Sequence, residues 1–449
     1  MPDPIVASLL RVWEDIFAHL LTRPSFANLF VVLTGWVLTD APVHTITEAL
    51  LATGVAGRRH HERHHRLFSR GSWDPDRVGY WLVQRILKLA GPGAVRIVID
   101  DTVAPKKGPH VFGLGTHVDA VRSTKRYRVF VFGHCWVVLA VLVRVPFSSR
   151  AWALPVLFRL YRNTKECEKN EAAYFKKTEL AREMLDVFCQ WVPDRRVEVT
   201  ADAAYCNDTI TRGLPSRVVL FGAMRPDAVL TALPPPRSSG TGRPRVRGDL
   251  LPKPGVLAKD DSVPWQTCET HVYGRTTVMR YKTLCAQWYR ACGVQLLRVV
   301  VVETTKGSVP FRVFFCTDAA VEVRAIAETY AERWGIEVFF RDAKQLLGFA
   351  DSPARTANAV LRMAPFVGIL YSTLVLWFAE GASTSPLATS LVRPWYTHKR
   401  DQSFADILRA ARKGLRTVNV FDPACNFENL DHLKTAQEPP QGHAVDRAA

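Results

Sequence analysis

Apolar residues recur at helical spacing through the first part of the chain. VASLLRVWEDIFAHLL (6–21) and FANLFVVLTGWVLTD (26–40) repeat hydrophobic positions every three or four residues, as a helix with one buried face requires. After a break at Asp40-Ala-Pro42, HTITEALLATGV (44–55) and RRHHERHHRLFSR (58–70) read as two short helices around a glycine turn at 54–57. That spacing fits either a helix-turn-helix or an ordinary small bundle. A further helix over 76–89 runs to Gly91-Pro92-Gly93, which closes a predicted helical domain at 1–92, a candidate DNA-binding domain.

Beyond it the pattern turns to strands. VRIVIDD (95–101) is a β-branched run ending in two acids, and HVFGLGTH (110–117) and YRVFVFGHCWVVLAVLV (127–143) follow. A helical stretch over 171–191 precedes a second acid-ended run, VEVTAD (197–202), then a short helix near 207–212 and a strand from Arg217. Residues 234–255 form a Pro/Gly/Arg-rich loop, and strand-like segments occupy 269–281, 294–303 and 311–316. A helix from about Val321 carries Tyr330, and an apolar helix fills 359–379. The prediction is a mixed α/β (α+β) protein with a central sheet flanked by helices. Its boundaries fall at 93–232 for the first part of the core, 233–318 for the basic loop and a β-rich insertion, 319–380 for the second part of the core, and 381–449 for a C-terminal region whose tail, from about Glu438, is expected to be disordered.

Charge narrows the partner. The 449 residues hold 59 Lys+Arg against 42 Asp+Glu, a formal charge of +17, which favours a polyanion, nucleic acid above all. A merely basic enzyme has the same balance. Nine scattered cysteines, none in a C-x2-C pair, argue against a zinc ribbon and fit a reducing, cytoplasmic setting. The start lacks the basic n-region of a signal peptide, and the run Met363–Phe378, interrupted by Pro365, is shorter than the ~20 residues of a membrane span, so no membrane partner is expected.

The chemistry concentrates in YAERWGIEVFFRDAK (330–344). Arg333, Glu337 and Lys344 follow Tyr330 at offsets of 3, 7 and 14. At ~100° per residue these fall at roughly 300°, 340° and 320°, one narrow helical face. A carboxylate among a phenol, a guanidinium and an ammonium suits a phosphodiester and a metal ion. Asp101 and Asp202 each close an apolar strand, and strand-end side chains can converge on one sheet edge. Three converging carboxylates need cations, and hard oxygen donors suit Mg2+ or Mn2+. Two such ions support in-line displacement at phosphorus.

These residues resemble the bacterial insertion-sequence transposases of the DDE class, which have an RNase H-like core. The Y-x2-R-x3-E-x6-K signature of one cut-and-paste group is matched by Tyr330, Arg333, Glu337 and Lys344, with Asp101-Thr102 and Asp202 in TADAAY supplying the other two acids. The resemblance spans about residues 95–380. It implies that Asp101, Asp202 and Glu337 are catalytic and hold two metal ions, and that Tyr330 and Arg333 grip a phosphate near the scissile bond. Lys344, about 10 Å along the helix from Glu337, would hold a more distant phosphate. It also implies double-stranded DNA substrates, terminal inverted repeats and target, in a synaptic dimer. Some relatives stack a flipped base on a tryptophan of the insertion; Trp265 and Trp288 read instead as core aromatics.

Neighbouring residues leave alternatives. Asp100 and Asp101 point to opposite faces of a strand, and the family pattern of Thr after the acid favours Asp101. A haloacid-type phosphatase would need an acid at position 103, where Val103 stands. His60, His61, His64 and His65 contain metal-compatible i,i+4 pairs, but Arg58, Arg59, Arg63 and Arg66 surround them, so a basic DNA-facing or solvated helix fits better. Gly242-Arg243-Pro244, with Arg245 and Arg247 nearby, resembles the core of an AT-hook, which enters a minor groove; a charged linker is the plainer reading. Arg63, Arg243, Arg245 and Arg247 are therefore candidate DNA contacts, and His117 and His134 read as core or edge histidines. The expected function is cut-and-paste DNA transposition. Its rivals are an inactive transposase-derived DNA-binding protein and a nuclease that cleaves without joining.

Overall fold

The N-terminal apolar periods become helices α1 (Pro4–Phe17), α2 (Arg23–Leu38), α3 (Ile46–Ala52), α4 (Glu62–Ser69) and α5 (Pro75–Ala90) in the computed structural model, which describes residues 4–418 apart from 59, 120–121, 125, 237–243, 305–309, 389–394 and 396–398. Local chemistry sets their starts. Thr45 accepts from the backbone N–H of Glu48 at the head of α3, and Asp74 accepts from that of Asp76 ahead of Pro75 in α5. Gly54 and Gly57, at φ +69° and +82°, supply the left-handed turn that follows α3.

Four strands and two helices come next: β1 (Val95–Pro105), β2 (Gly115–Val118), β3 (Phe130–Arg144), β4 (Ala151–Tyr161), α6 (Thr164–Lys169) and α7 (Lys177–Trp191). Then come β5 (Val197–Ala201), α8 (Asp208–Thr211), β6 (Val218–Ala223), α9 (Pro254–Leu257), β7 (Gln266–Val272), β8 (Arg275–Gln287), α10 (Tyr289–Cys292), β9 (Leu296–Glu303) and β10 (Phe311–Cys316). The chain ends its described part with α11 (Val323–Glu332), α12 (Trp334–Leu346), α13 (Ala357–Ala379) and α14 (Phe404–Leu415). The mixed α/β class is the one predicted, with sheet strands flanked by helices, consistent with an RNase H-like core. The expected tail disorder from Glu438 falls outside the described residues.

The chain divides into two compact units. One comprises residues 1–92, 101–176 and 337–449, the other 93–100 and 177–336. In the first unit α13 is the organising core element, buried along most of its length. Trp13 of α1 donates to Thr373 Oγ1 at 3.1 Å, Ser372 Oγ donates to the Pro155 carbonyl of β4 at 3.1 Å, and Phe339 of α12 meets Tyr371 edge-on at 5.0 Å. Among the described residues α13 is the helix long and apolar enough to cross a membrane, and 89% of its apolar window is buried, as a core helix requires. β2 pairs antiparallel with β3, and β3 with β4.

β4 was not anticipated, because Pro155 breaks its apolar run. The structure accommodates that proline where the β3–β4 register shifts between Leu139 and Ala140, an irregularity at which a missing backbone donor is tolerated. The helix expected over 171–191 begins at Lys177.

In the second unit β1, β5 and β6 run parallel, with Val95 opposite Val197 and Val197 opposite Val218. β10 pairs antiparallel with β6, and β9, β8 and β7 continue antiparallel from it. The segment expected as one strand over 269–281 is a hairpin, turned at Tyr273-Gly274 with φ +54° and +74°. Lys282 of β8, 1% exposed, donates to the carbonyls of Leu257 and Asp260 at 3.1 and 2.7 Å and lies 4.8 Å from the centre of the Trp265 ring. This buried ammonium ties the segment after α9 to the sheet.

Candidate active site

Asp202 directly follows β5, and its carboxylate accepts from the backbone N–H of Ala204 at 2.8 Å, which fixes the side chain at the start of a turn. Tyr330, in the same unit, lies near the end of α11 with its ring 4.4 Å from that of Phe314 in β10. Burial pushes its phenol up to about 12, with the Arg333 guanidinium acting in the opposite direction. The hydroxyl therefore stays a neutral hydrogen-bond donor across the physiological range. Arg333 donates from Nη1 to Asp100 Oδ2 at 2.7 Å. Arg96 braces the same helix, reaching Glu198 at 3.0 Å and Glu332 at 3.1 Å. Strand alternation puts Arg96 and Asp100 on one side of β1, which is why both meet residues at the α11 terminus.

The first unit carries the other two acids. Asp101 Oδ2 lies 3.6 Å from Cys135 Sγ of β3. Glu337 sits in the first turn of α12 and Lys344 in its last. Lys344 Nζ donates to Thr102 Oγ1 at 2.7 Å and to the Val103 carbonyl at 2.8 Å. Burial lowers its pKa, while Asp119 and Cys135 pull the other way. The ammonium thus pins β1 at the two residues that follow Asp101. Phe339, Phe340 and Ala343 are buried between Glu337 and Lys344 in sequence and orient α12.

The motif is not one uninterrupted helix. Arg333 separates α11 from α12, with Arg333 N bonded to the Tyr330 carbonyl and Ile336 N to the Arg333 carbonyl, both i→i−3. These tighter turns break the uniform 100° rotation on which the predicted common face depends. One residue with a bearing on the site, Cys135, escaped sequence reasoning, and another, Asp100, was weighed only as the alternative to Asp101. Asp100 is the partner of Arg333, and the signal for it was present in the alternation of Arg96 and Asp100. Cys135, beside Asp101, had no local signal, because only the strand pairing brings it there.

The remaining candidates differ in setting. Arg63 is exposed on α4; Arg245 and Arg247 are exposed, with the Arg247 guanidinium 4.6 Å from the centre of the Tyr289 ring; Arg243 lies outside the described residues. His61 and His65 meet edge-on at 5.8 Å, and His64 is buried. His117 and His134 are buried, as core histidines would be. His134 Nε2 bonds the Phe112 carbonyl at 2.8 Å, and burial lowers its pKa to about 4. Trp265 and Trp288 are half-buried.

Among the described residues no three His, Cys, Asp or Glu side chains are gathered into a metal-holding group. The donor chemistry nonetheless fits: Asp101, Asp202 and Glu337 are partly accessible carboxylates, the hard oxygen ligands that Mg2+ and Mn2+ take.

The chain is a member of the DDE superfamily endonucleases, whose family model matches residues 16–288, more than half of its length. Asp101 and Asp202 lie inside the matched stretch; Tyr330, Arg333, Glu337 and Lys344 lie beyond it. No curated protein matches the chain. Among solved structures, a chain of the cryo-EM structure of a piggyBac transposase synaptic complex with hairpin DNA aligns with 99% of this chain and 86% of its own, at 10% identity and a TM-score of 0.43.

Proposed function

We propose that this endonuclease is a cut-and-paste DNA transposase that binds the ends of its element, cleaves there and joins the freed 3′-OH to target DNA. The observation that carries the reading is the family match over Asp101, inside β1, and Asp202, directly after β5, together with the Tyr330–Lys344 signature. Asp101, Asp202 and Glu337 would hold divalent ions, two by the logic of in-line displacement. When bound, these would polarise the scissile phosphate and activate the attacking oxygen.

The chain's own side chains do the rest. Tyr330, held neutral, donates a hydrogen bond to a phosphate oxygen. Arg333 is kept extended by Asp100 before DNA arrives, and a phosphate can replace that carboxylate because both present paired anionic oxygens to a guanidinium. Lys344 is a positioning residue: its bonds to Thr102 and Val103 hold the strand that bears Asp101. Arg63, Arg245 and Arg247 would add backbone contacts, and a dimer would bring two element ends together.

The test is a cleavage and strand-transfer assay on duplex DNA carrying the inverted repeats that flank this reading frame, with Mg2+ or Mn2+. Cleavage followed by joining, lost in Asp202→Ala with DNA binding retained, is the expected result. Binding without cleavage in either metal would overturn the enzyme reading, and cleavage that never yields joined product would leave a nuclease in place of a transposase.

A further inference from the structure

The loop and hairpin between β2 and β3 expose aromatic side chains that the catalytic reading does not use. Tyr127, Phe130 and Phe132 are 70%, 60% and 48% exposed. β2 and β3 pair with Val118 opposite Phe130 and Thr116 opposite Phe132, so both phenylalanines stand on one face of the hairpin, and every one of these four residues is exposed. The opposite face, with His117, turns inward. Isolated exposed apolar residues are ordinary on a protein surface; three aromatics within six positions, two of them on one strand face, are not.

Cations are interleaved with them. Arg122, Arg126 and Arg128 are exposed, and residues 119–128 hold four basic side chains against one acid. The loop is also tied to itself. Asp119 N bonds the Val129 carbonyl at 2.8 Å, Thr124 N bonds the Tyr127 carbonyl at 2.8 Å, and Val129 N bonds Ser123 Oγ at 3.0 Å. These bonds present Tyr127 between two arginines with part of its ordering already accomplished.

We propose that this hairpin is a stacking platform for unpaired bases of a DNA strand, with the arginines on its phosphates. Aromatic rings among cations are the recurring means of holding single strands, because every base offers a π-face. Same-face residues two apart on a strand are about 6.8 Å from each other, room for two rings to take separate bases. A duplex would offer the rings only sugar and groove edges. The same hairpin of a second copy fits poorly, since residues 119–128 of each hold four basic side chains against one acid. The inference rests on the proposed DNA substrate and adds to it a strand whose bases are unpaired.

The experiment measures binding of the full chain to a labelled single-stranded oligo(dT) and to a duplex of equal length, in EDTA so that catalysis plays no part. In Phe130→Ser/Phe132→Ser, oligo(dT) affinity should fall at least tenfold while duplex affinity changes less than about twofold. In Arg126→Gln/Arg128→Gln, single-strand affinity should fall and depend less steeply on salt. Photocrosslinking of bromodeoxyuridine-substituted oligonucleotide should map to Tyr127, Phe130 or Phe132. Equal losses on both DNAs, an unchanged oligo(dT) affinity, or a phenylalanine variant that merely turns a dimer into a monomer would each overturn the proposal. An Asp202→Ala protein that no longer cleaves but still binds oligo(dT) in this way would separate failure of the catalytic reading from failure of this one.

Discussion

Arg333 and Lys344 stand eleven positions apart in the signature and both end on β1, but they meet different chemistry there. Arg333 meets the Asp100 carboxylate, with both side chains under one-fifth exposed. Lys344 meets a hydroxyl and a backbone carbonyl, and burial lowers its pKa. A carboxylate can be exchanged for a phosphate of similar shape and charge. A strand carbonyl cannot be moved without disturbing the strand. Under the proposed function the two cations of one motif would divide the work, one poised for an incoming phosphate and one fixing the backbone beside Asp101. The four-residue pattern alone does not distinguish them.

The largest effect that would sharpen this division is catalytic. Asp202→Ala should reduce DNA cleavage by on the order of 10³-fold or more at unchanged duplex affinity, read in single-turnover assays. Arg333→Gln should reduce cleavage by about 10²-fold, with weaker duplex binding, because it removes a charged donor to the phosphate. Lys344→Met should act first on stability. It strands the Val103 carbonyl and the Thr102 hydroxyl and should lower urea-unfolding stability by about 1–3 kcal/mol. If Lys344→Met instead weakened DNA binding and left stability untouched, the division between the two cations would be broken.

A pH series separates the burial of the first unit from these site effects. His134 has its pKa lowered from 6.5 to about 4, so between those values the unfolded chain binds the extra proton. The contribution of neutral His134 is complete above about 6.5 and is lost as pH falls toward 4. Stability should therefore drop by roughly 2 kcal/mol between pH 6.5 and 5, and the drop should shrink in His134→Gln. The smallest effect belongs to Tyr330→Phe, which keeps the ring against Phe314 and removes only the hydroxyl. Stability should change by less than about 1 kcal/mol and the phosphate contact should weaken modestly.

Much of this was legible from residue order, for identifiable reasons. Asp202 announces itself because a β-branched run stops there and β5 ends at Ala201, whereas Asp101, expected to close its strand, lies inside β1, which runs on through Thr102-Val103-Ala104 to Pro105. α13 reads as a core helix because its hydrophobicity runs all round it. β4 hid behind Pro155, whose acceptance depends on a register shift in the partner strand. The β7–β8 turn hid because Tyr273, a non-glycine residue, takes a positive φ. The break at Arg333 was invisible to a constant-rotation wheel. The partners of Arg333 and Lys344 are set by tertiary pairing, which periodicity does not encode, although strand alternation did put Asp100 and Thr102 on one side of β1.

The choice between adjacent acids bears most directly on the account: Asp101 as a metal ligand, Asp100 as the holder of Arg333. The decisive measurement compares Mg2+-dependent cleavage of repeat-bearing duplex by Asp101→Asn and Asp100→Asn, each checked for folding and for DNA binding in EDTA. The account predicts that Asp101→Asn binds DNA and does not cleave, while Asp100→Asn keeps measurable cleavage. Robust cleavage by Asp101→Asn together with none by Asp100→Asn would contradict it.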